Sequence, residues 1–128
     1  MNNPVFVLMK SGENSSFYFR LTGADKKILL YGEVQQTKSL CVEKIASITI
    51  NVLRDDRFEM VNTTTGYSFL LRSVGDDILA RSEEFLSEKE RDDMLQRVKE
   101  EAVGALIEDT IADAPLCLNS LIPYIKYQ

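Results

Sequence analysis

The sequence predicts an α+β fold: two tandem β-β-β-α repeats forming one antiparallel sheet with both helices on one face, plus an extra C-terminal segment. Three observations predict it. The chain repeats itself at a spacing of 50 residues: FYFRL at 17–21 falls on YSFLL at 67–71, Ile28 and Leu29 on Ile78 and Leu79, Glu33 on Glu83, and Ile45 on Leu95. Each copy switches its apolar period from 2 to about 3.6 partway along, as strands give way to a helix. The chain has 128 residues, 45% of them apolar, enough to bury the core of one compact domain. The expected organisation is a single domain over 1–128, with repeat one at 4–54, repeat two at 57–103 and an extension at 104–128.

Each repeat opens on a short apolar stretch, Val5 to Leu8 and then Phe58 to Val61, where Phe58 and Met60 share a face. Turn-rich gaps follow, and Gly12 and Gly66 are read there as permissive dihedrals. The second strand is the clearest. Phe17, Phe19 and Leu21 point inward, Tyr18 and Arg20 outward, and Tyr67, Phe69 and Leu71 take the inner face of the second copy. A second turn, at Gly23 to Lys26 or Gly75 to Asp77, leads to a third strand from Ile28 or Ile78. Thr37 and Ser87 read as helix N-caps, and Ser87 with Glu90 forms a capping box. Behind them Cys41, Ile45, Ile48 and Val52, and then Met94, Leu95, Val98 and Ala102, recur on one helical stripe. Asn51 and Gly104 are the expected stops. The link at 54–57 is too short to separate two domains, so both units should share one core.

This pattern resembles the YegP-like family, small bacterial proteins built of tandem β-β-β-α repeats. The matching residues are Phe19-Arg20-Leu21, Ile28-Leu29, Glu33, Thr37-Lys38, and Cys41 with Ile45, Ser47 and Ile48. In the second copy they are Phe69, Leu71, Ile78-Leu79, Ser82-Glu83 and Ser87. The resemblance covers about residues 4–103 and describes a divergent member. The family's N-G turn is replaced by Asp25-Lys26 and Gly75-Asp76, the glycine of its helix by Lys44, and the aromatic after S-E survives only as Phe85, with Gln35 in the first copy. The resemblance implies a sheet with helices on one side and a bacterial source. It implies no reaction and carries over no catalytic residue.

Composition narrows function mostly by exclusion. The formal net charge is −5, which argues against a nucleic-acid module held by phosphate contacts. Residues 81–113 hold eleven acids against five bases, whereas residues 1–54 hold seven bases against four acids, so two surfaces should differ in sign. There is no histidine, so the commonest general base and transition-metal ligand is missing. No catalytic residue, metal or cofactor is expected. The apolar runs are too short for a membrane span and the N-terminus carries no signal-peptide pattern, so the expected location is cytoplasmic. Cys41 and Cys117 then read as reduced thiols, Cys41 as a buried one.

Four places are candidates for function. The outward sheet face carries Tyr18, Arg20, Leu70 and Arg72. Glu33 and Glu83 are acids in strict repeat register, either a paired carboxylate site or two structural acids bonded to the backbone before each helix. Asn14 and Asn62 head glycosylation sequons that read better as turn residues. The extension contains a short amphipathic helix at 105–114 by its spacing of Leu106, Ile107 and Ile111. After it comes an apolar stretch with Leu116, Leu118, Leu121, Ile122, Tyr124 and Tyr127 that packs on the domain, on a second copy or on another protein. The leading expectation is a non-catalytic interaction module working through the sheet face and the tail, with a protein partner or a homodimer. The alternative is a small-ligand-binding protein or enzyme using carboxylates near Glu33 and Glu83.

Overall fold

The computed structural model describes residues 3–11 and 16–111. Gly12, Asn14, Cys117 and the proposed interface residues Leu116, Leu118, Leu121, Ile122, Tyr124 and Tyr127 lie outside the described residues. The chain runs β1 (Val5–Lys10), β2 (Phe17–Thr22), β3 (Ile28–Gly32), α1 (Lys38–Asn51), a 3-10 turn (Asp55–Arg57), β4 (Phe58–Asn62), β5 (Tyr67–Arg72), β6 (Ile78–Arg81), α2 (Glu88–Glu101) and β7 (Leu106–Asp109). All seven strands form one sheet in the order β4-β5-β6-β3-β2-β1-β7.

Without β7 that order is unchanged when each strand is exchanged for its partner three places on. The two meanders meet at β3 and β6, where Tyr31 pairs with Arg81 in antiparallel register. These two residues are 50 apart, so a local twofold relation passes between them. Details recur at the same spacing. The pairing of the second and third strands slips between Leu21 and Thr22, and again between Leu71 and Arg72. Phe17 bridges Gln35 as Tyr67 bridges Phe85. Phe6 meets Phe19 edge-on at 6.1 Å, and Phe58 meets Phe69 at 5.7 Å, the offset geometry that ring quadrupoles favour.

Alternation along each strand sends Phe6, Leu8, Phe19, Leu21, Phe69 and Leu71 to one face, where they are fully buried beneath the helices. The helical stripes meet them with Cys41, Ile45, Ile48 and Val52, and with Met94, Val98 and Ala102. Thr37 Oγ1 accepts from the Leu40 N–H and Ser87 Oγ from the Glu90 N–H, each at 3.1 Å, which satisfies a donor that a helix start leaves unpaired. The Glu90 carboxylate reaches back to the Leu86 N–H at 3.2 Å, completing the box one residue early.

Two expectations are corrected. Of the expected helix at 105–114, the described residues 105–111 form no helix. Leu106–Asp109 is strand β7, which lies parallel to β1 and makes the sheet mixed rather than purely antiparallel. The outer edge of β1 offers unpaired backbone groups, and ALIED alternates well enough to take them, with Ile107 inward and Leu106 and Glu108 outward. Thr110 closes the segment by donating its N–H and Oγ1 to the Leu8 carbonyl, and Ile111 is buried in the core. Lys38, at the start of α1, ties in β7 through Asp109 at 2.6 Å. Second, Gly66 has no positive φ. Its need is space, because a Cβ there would stand 2.7 Å from the Phe85 carbonyl oxygen. The positive φ angles fall instead on Lys26 (70°) and Asp76 (72°), equivalent positions in the second hairpin of each copy. The equivalent positions Gly32 and Ser82 also differ. A Cβ at Gly32 would lie 2.4 Å from the Phe19 ring, whereas Ser82 is buried and its Oγ accepts the Phe69 N–H at 3.0 Å.

Candidate functional site: the open face of the sheet

The residues alternating with the core project to the face that carries no helix among the described residues. Strand register sets them in a row: Glu108 beside Val7, Val7 beside Arg20, Arg20 beside Tyr31, Tyr31 beside Arg81, Arg81 beside Leu70, Leu70 beside Glu59. Tyr18, Arg20, Leu70 and Arg72 all share this face, as their strand parity predicts. Tyr31 and Arg81 stand at its centre and were missed. The available signal was the parity of the third strand, together with the 50-residue spacing that sets the pair on the twofold relation.

The two halves differ in how their cations are held. In the second-repeat half Arg72 Nε bonds Glu59 at 2.7 Å and its Nη1 donates to the Asp76 carbonyl at 3.0 Å. The Glu59 carboxylate holds the Arg72 guanidinium above its ordinary value. Arg81 grips Glu33 Oε2 through Nε at 2.9 Å and through Nη2. In the first-repeat half Arg20 has no carboxylate within ion-pair distance among the described residues. Its guanidinium lies 5.8 Å from the centre of the Tyr18 ring and 5.7 Å from that of Tyr31. Ring faces carry partial negative charge, and this steadies the cation while leaving its N–H edge unspent.

Beside Arg20 the face dips into a groove of about 430 Å³ lined by Val5, Val7, Thr22, Lys26, Leu106 and Glu108. β7 supplies its outer wall. The residues with carbon-rich surfaces are the two valines and Leu106, and the ends are polar.

Glu33 and Glu83 do not form a shared site. From Tyr31 and Arg81 they lie two residues on in opposite directions, so their backbones are roughly 13 Å apart along the strands. Glu33 is spent on Arg81 rather than on backbone before the helix. Glu83 lines a separate groove of about 310 Å³ with Lys27, Phe85, Glu90, Asp93, Met94 and Arg97. The side chain tied to the β4–β5 turn is Glu84, which accepts from Thr63 and Thr65. At one rim of that groove Arg97 bonds Asp25 and Glu101, and the guanidinium holds the Asp25 carboxyl below its ordinary value. Among the described residues no group of three or more Asp, Glu or Cys side chains is placed to hold a metal ion. Cys41 is fully buried, and desolvation pushes its thiol up to about 12, so it packs as a small hydrophobe. Asn62 Oδ1 accepts from Arg91 Nη1 at 3.0 Å, a structural use for that residue. No helix among the described residues is long and apolar enough to cross a membrane.

Comparison with known proteins places this geometry among relatives. No family model matches the chain. A UPF0339 protein of Bordetella pertussis is 30% identical over 105 residues, 81% of this chain and 93% of that protein. One from Pseudomonas aeruginosa is 26% identical over 102 residues, 79% of this chain and 93% of its own length. Two solution structures share the fold. A UPF0339 protein of Shewanella oneidensis superposes with a TM-score of 0.79 at 24% identity, covering 84% of this chain and 91% of that one. The E. coli protein yegP, described as of unknown function, gives 0.81 at 23% identity, covering 89% and 98%.

Proposed function

We propose that this chain, which belongs to the UPF0339 family, is a non-catalytic binding module whose working surface is the open face of its sheet. One observation carries the reading: the face without helices presents Val5, Val7, Tyr18, Tyr31 and Leu70 half-buried around Arg20, a cation seated on two aromatic rings without an ion-pair partner among the described residues. Aromatic and arginine side chains concentrated on one rigid face are the composition of protein-binding surfaces, whose binding energy concentrates in a few such anchors. Glu33, in contrast, is spent on a structural partner, Arg81. The setting is the cytoplasm and the partner a protein, which the extension at 104–128 helps to hold.

The test is retention of partners from an extract of the native cells. Immobilised wild type is compared with Val7→Asp and Leu70→Asp on the open face and with Ile50→Asp on the exposed side of α1, where Ile50 is 68% exposed. Proteins held by wild type and by Ile50→Asp but lost from both face variants support the reading. An empty wild-type column, or one set of proteins on all four, overturns it.

A further inference from the structure

Both arginines of the second-repeat half of the open face meet carboxylates, Arg72 that of Glu59 and Arg81 that of Glu33 across the join; Arg20 of the first-repeat half meets none among the described residues. Arg20 corresponds to Leu70 in the other copy, so the cation has been placed where the fold itself needs none. It is half-buried, its guanidinium carbon lies 5.8 Å from the centre of the Tyr18 ring and 5.7 Å from that of Tyr31, and no acid lies within ion-pair distance among the described residues. A guanidinium steadied by two aromatic rings and without an acid partner keeps its N–H donors for another group, the arrangement that receives a carboxylate with little further loss of freedom.

What lies next to it is apolar. Val7 stands directly opposite Arg20, and Val5 opposite Thr22, so the groove, which Val7 lines and Arg20 does not, begins one strand from Arg20 and runs along β1 and β2 towards Lys26. Leu106 and Glu108 of β7 close its outer side. Lys26 lines the groove and Arg20 stands beside its Val7 wall, two cations against one lining acid, Glu108, which is two strands from Arg20, roughly 9.5 Å at ordinary strand spacing. The groove is about half open to water, which suits a polypeptide laid across a sheet with one side in solvent.

Resting on the reading of this face as a binding surface, we propose that the first-repeat half receives a partner segment carrying one carboxylate beside apolar side chains. The carboxylate meets Arg20, and the apolar side chains lie on Val5, Val7 and Leu106.

The experiment uses the full chain and a fluorescent, N-acetylated and C-amidated pentapeptide, Leu-Glu-Leu-Val-Leu, against the same peptide with Gln for Glu. The acidic peptide should bind at least about tenfold more tightly, the usual worth of a charge-assisted hydrogen bond. Its addition should shift the backbone amide resonances of Val5, Val7, Thr22 and Leu106. Arg20→Gln should erase the preference for Glu, and so should Arg20→Leu, which imports the residue of the second copy. Arg81→Gln should keep it. Melting curves establish that each variant is folded, and if Arg20→Gln does not fold, Arg20→Leu decides. Equal affinity for the two peptides, no binding of either, a preference that survives loss of Arg20, or octanoate binding at this groove in place of the peptide would each overturn the proposal. If partners are retained through Val7 and Leu70 while the peptides do not discriminate, only this subsite falls; if neither occurs, the binding-module reading falls with it.

Discussion

The two copies agree on the inner face of the sheet and disagree on the outer. Inward, Phe19 answers Phe69, Leu21 answers Leu71, and the phenylalanine pairs repeat their edge-on contact. Outward, Arg20 answers Leu70, Tyr18 answers Ser68 and Tyr31 answers Arg81. A shared core tolerates little volume change, so both copies keep it. The open face meets water, and each copy has gone its own way there. The difference teaches where to look for activity: the arginines of one half are tied to carboxylates, and the other half holds a cation ready for something else.

Exchanging residues between the copies breaks the comparison most directly. Gly32→Ser puts the second copy's residue into the first and drives a Cβ to 2.4 Å from the Phe19 ring. Overpacking of this kind should cost about 3 kcal/mol in urea unfolding. The reverse exchange, Ser82→Gly, removes the Oγ that accepts the buried Phe69 N–H and adds the chain freedom of glycine, and should cost about 2 kcal/mol. Losses below about 0.5 kcal/mol for both would mean that the two positions are equivalent after all.

The hairpin turns sharpen the comparison at a smaller scale. Lys26 and Asp76 both take positive φ, where a Cβ crowds the chain. Lys26→Gly should raise stability by roughly 0.5–1 kcal/mol once the entropy of glycine is offset. Asp76→Gly should gain less, because aspartate tolerates this region and Asp76 also approaches Arg72 at 3.9 Å. Equal gains would show that the side chains contribute nothing to the difference.

The smallest effect concerns the clasp from the repeat-one turn to the repeat-two helix, Asp25 to Arg97, which has no counterpart: the equivalent positions are Gly75 and Ser47. Arg97 depresses the Asp25 carboxyl when folded, so the stability this link adds is fully present above its unfolded value, near 3.8, and is lost as pH falls through the lower folded value. Asp25→Asn should therefore be slightly less stable than wild type at neutral pH and draw level with it in acid. A gap that stays constant with pH in denaturant titrations would assign the effect to something other than ionisation.

Much of this was legible in the chain. The strands and caps were readable because local pattern and global fold agree there: Phe17 to Leu21 alternates, and Thr37 and Ser87 sit where helices begin. β7 was not, because Leu106, Ile107 and Ile111 fit a helical spacing as well as a strand. What decides between them is the free edge of β1, about a hundred residues away in sequence. The pairing of Glu33 with Arg81 was hidden for the same reason. Repeat register pointed to Glu83, whereas the antiparallel join of the two units brings the other copy's arginine to hand. Tyr18 and Arg20 were found from parity within one strand; Tyr31 belongs to the neighbouring strand, and its place beside Arg20 depends on how β2 and β3 align.

β7 also sets a limit on how copies of this protein can assemble. Six strands related by a local twofold would end in two like edges, and a sheet with two like edges can take on a neighbour at each end and grow without a natural stopping point. Because Leu106–Asp109 lies along β1 and no strand lies along the outer side of β4 among the described residues, the two ends of the sheet are unlike. A β4 edge laid on the β4 edge of a second copy would be a twofold contact, whereas a β4 edge laid on a β7 edge would not.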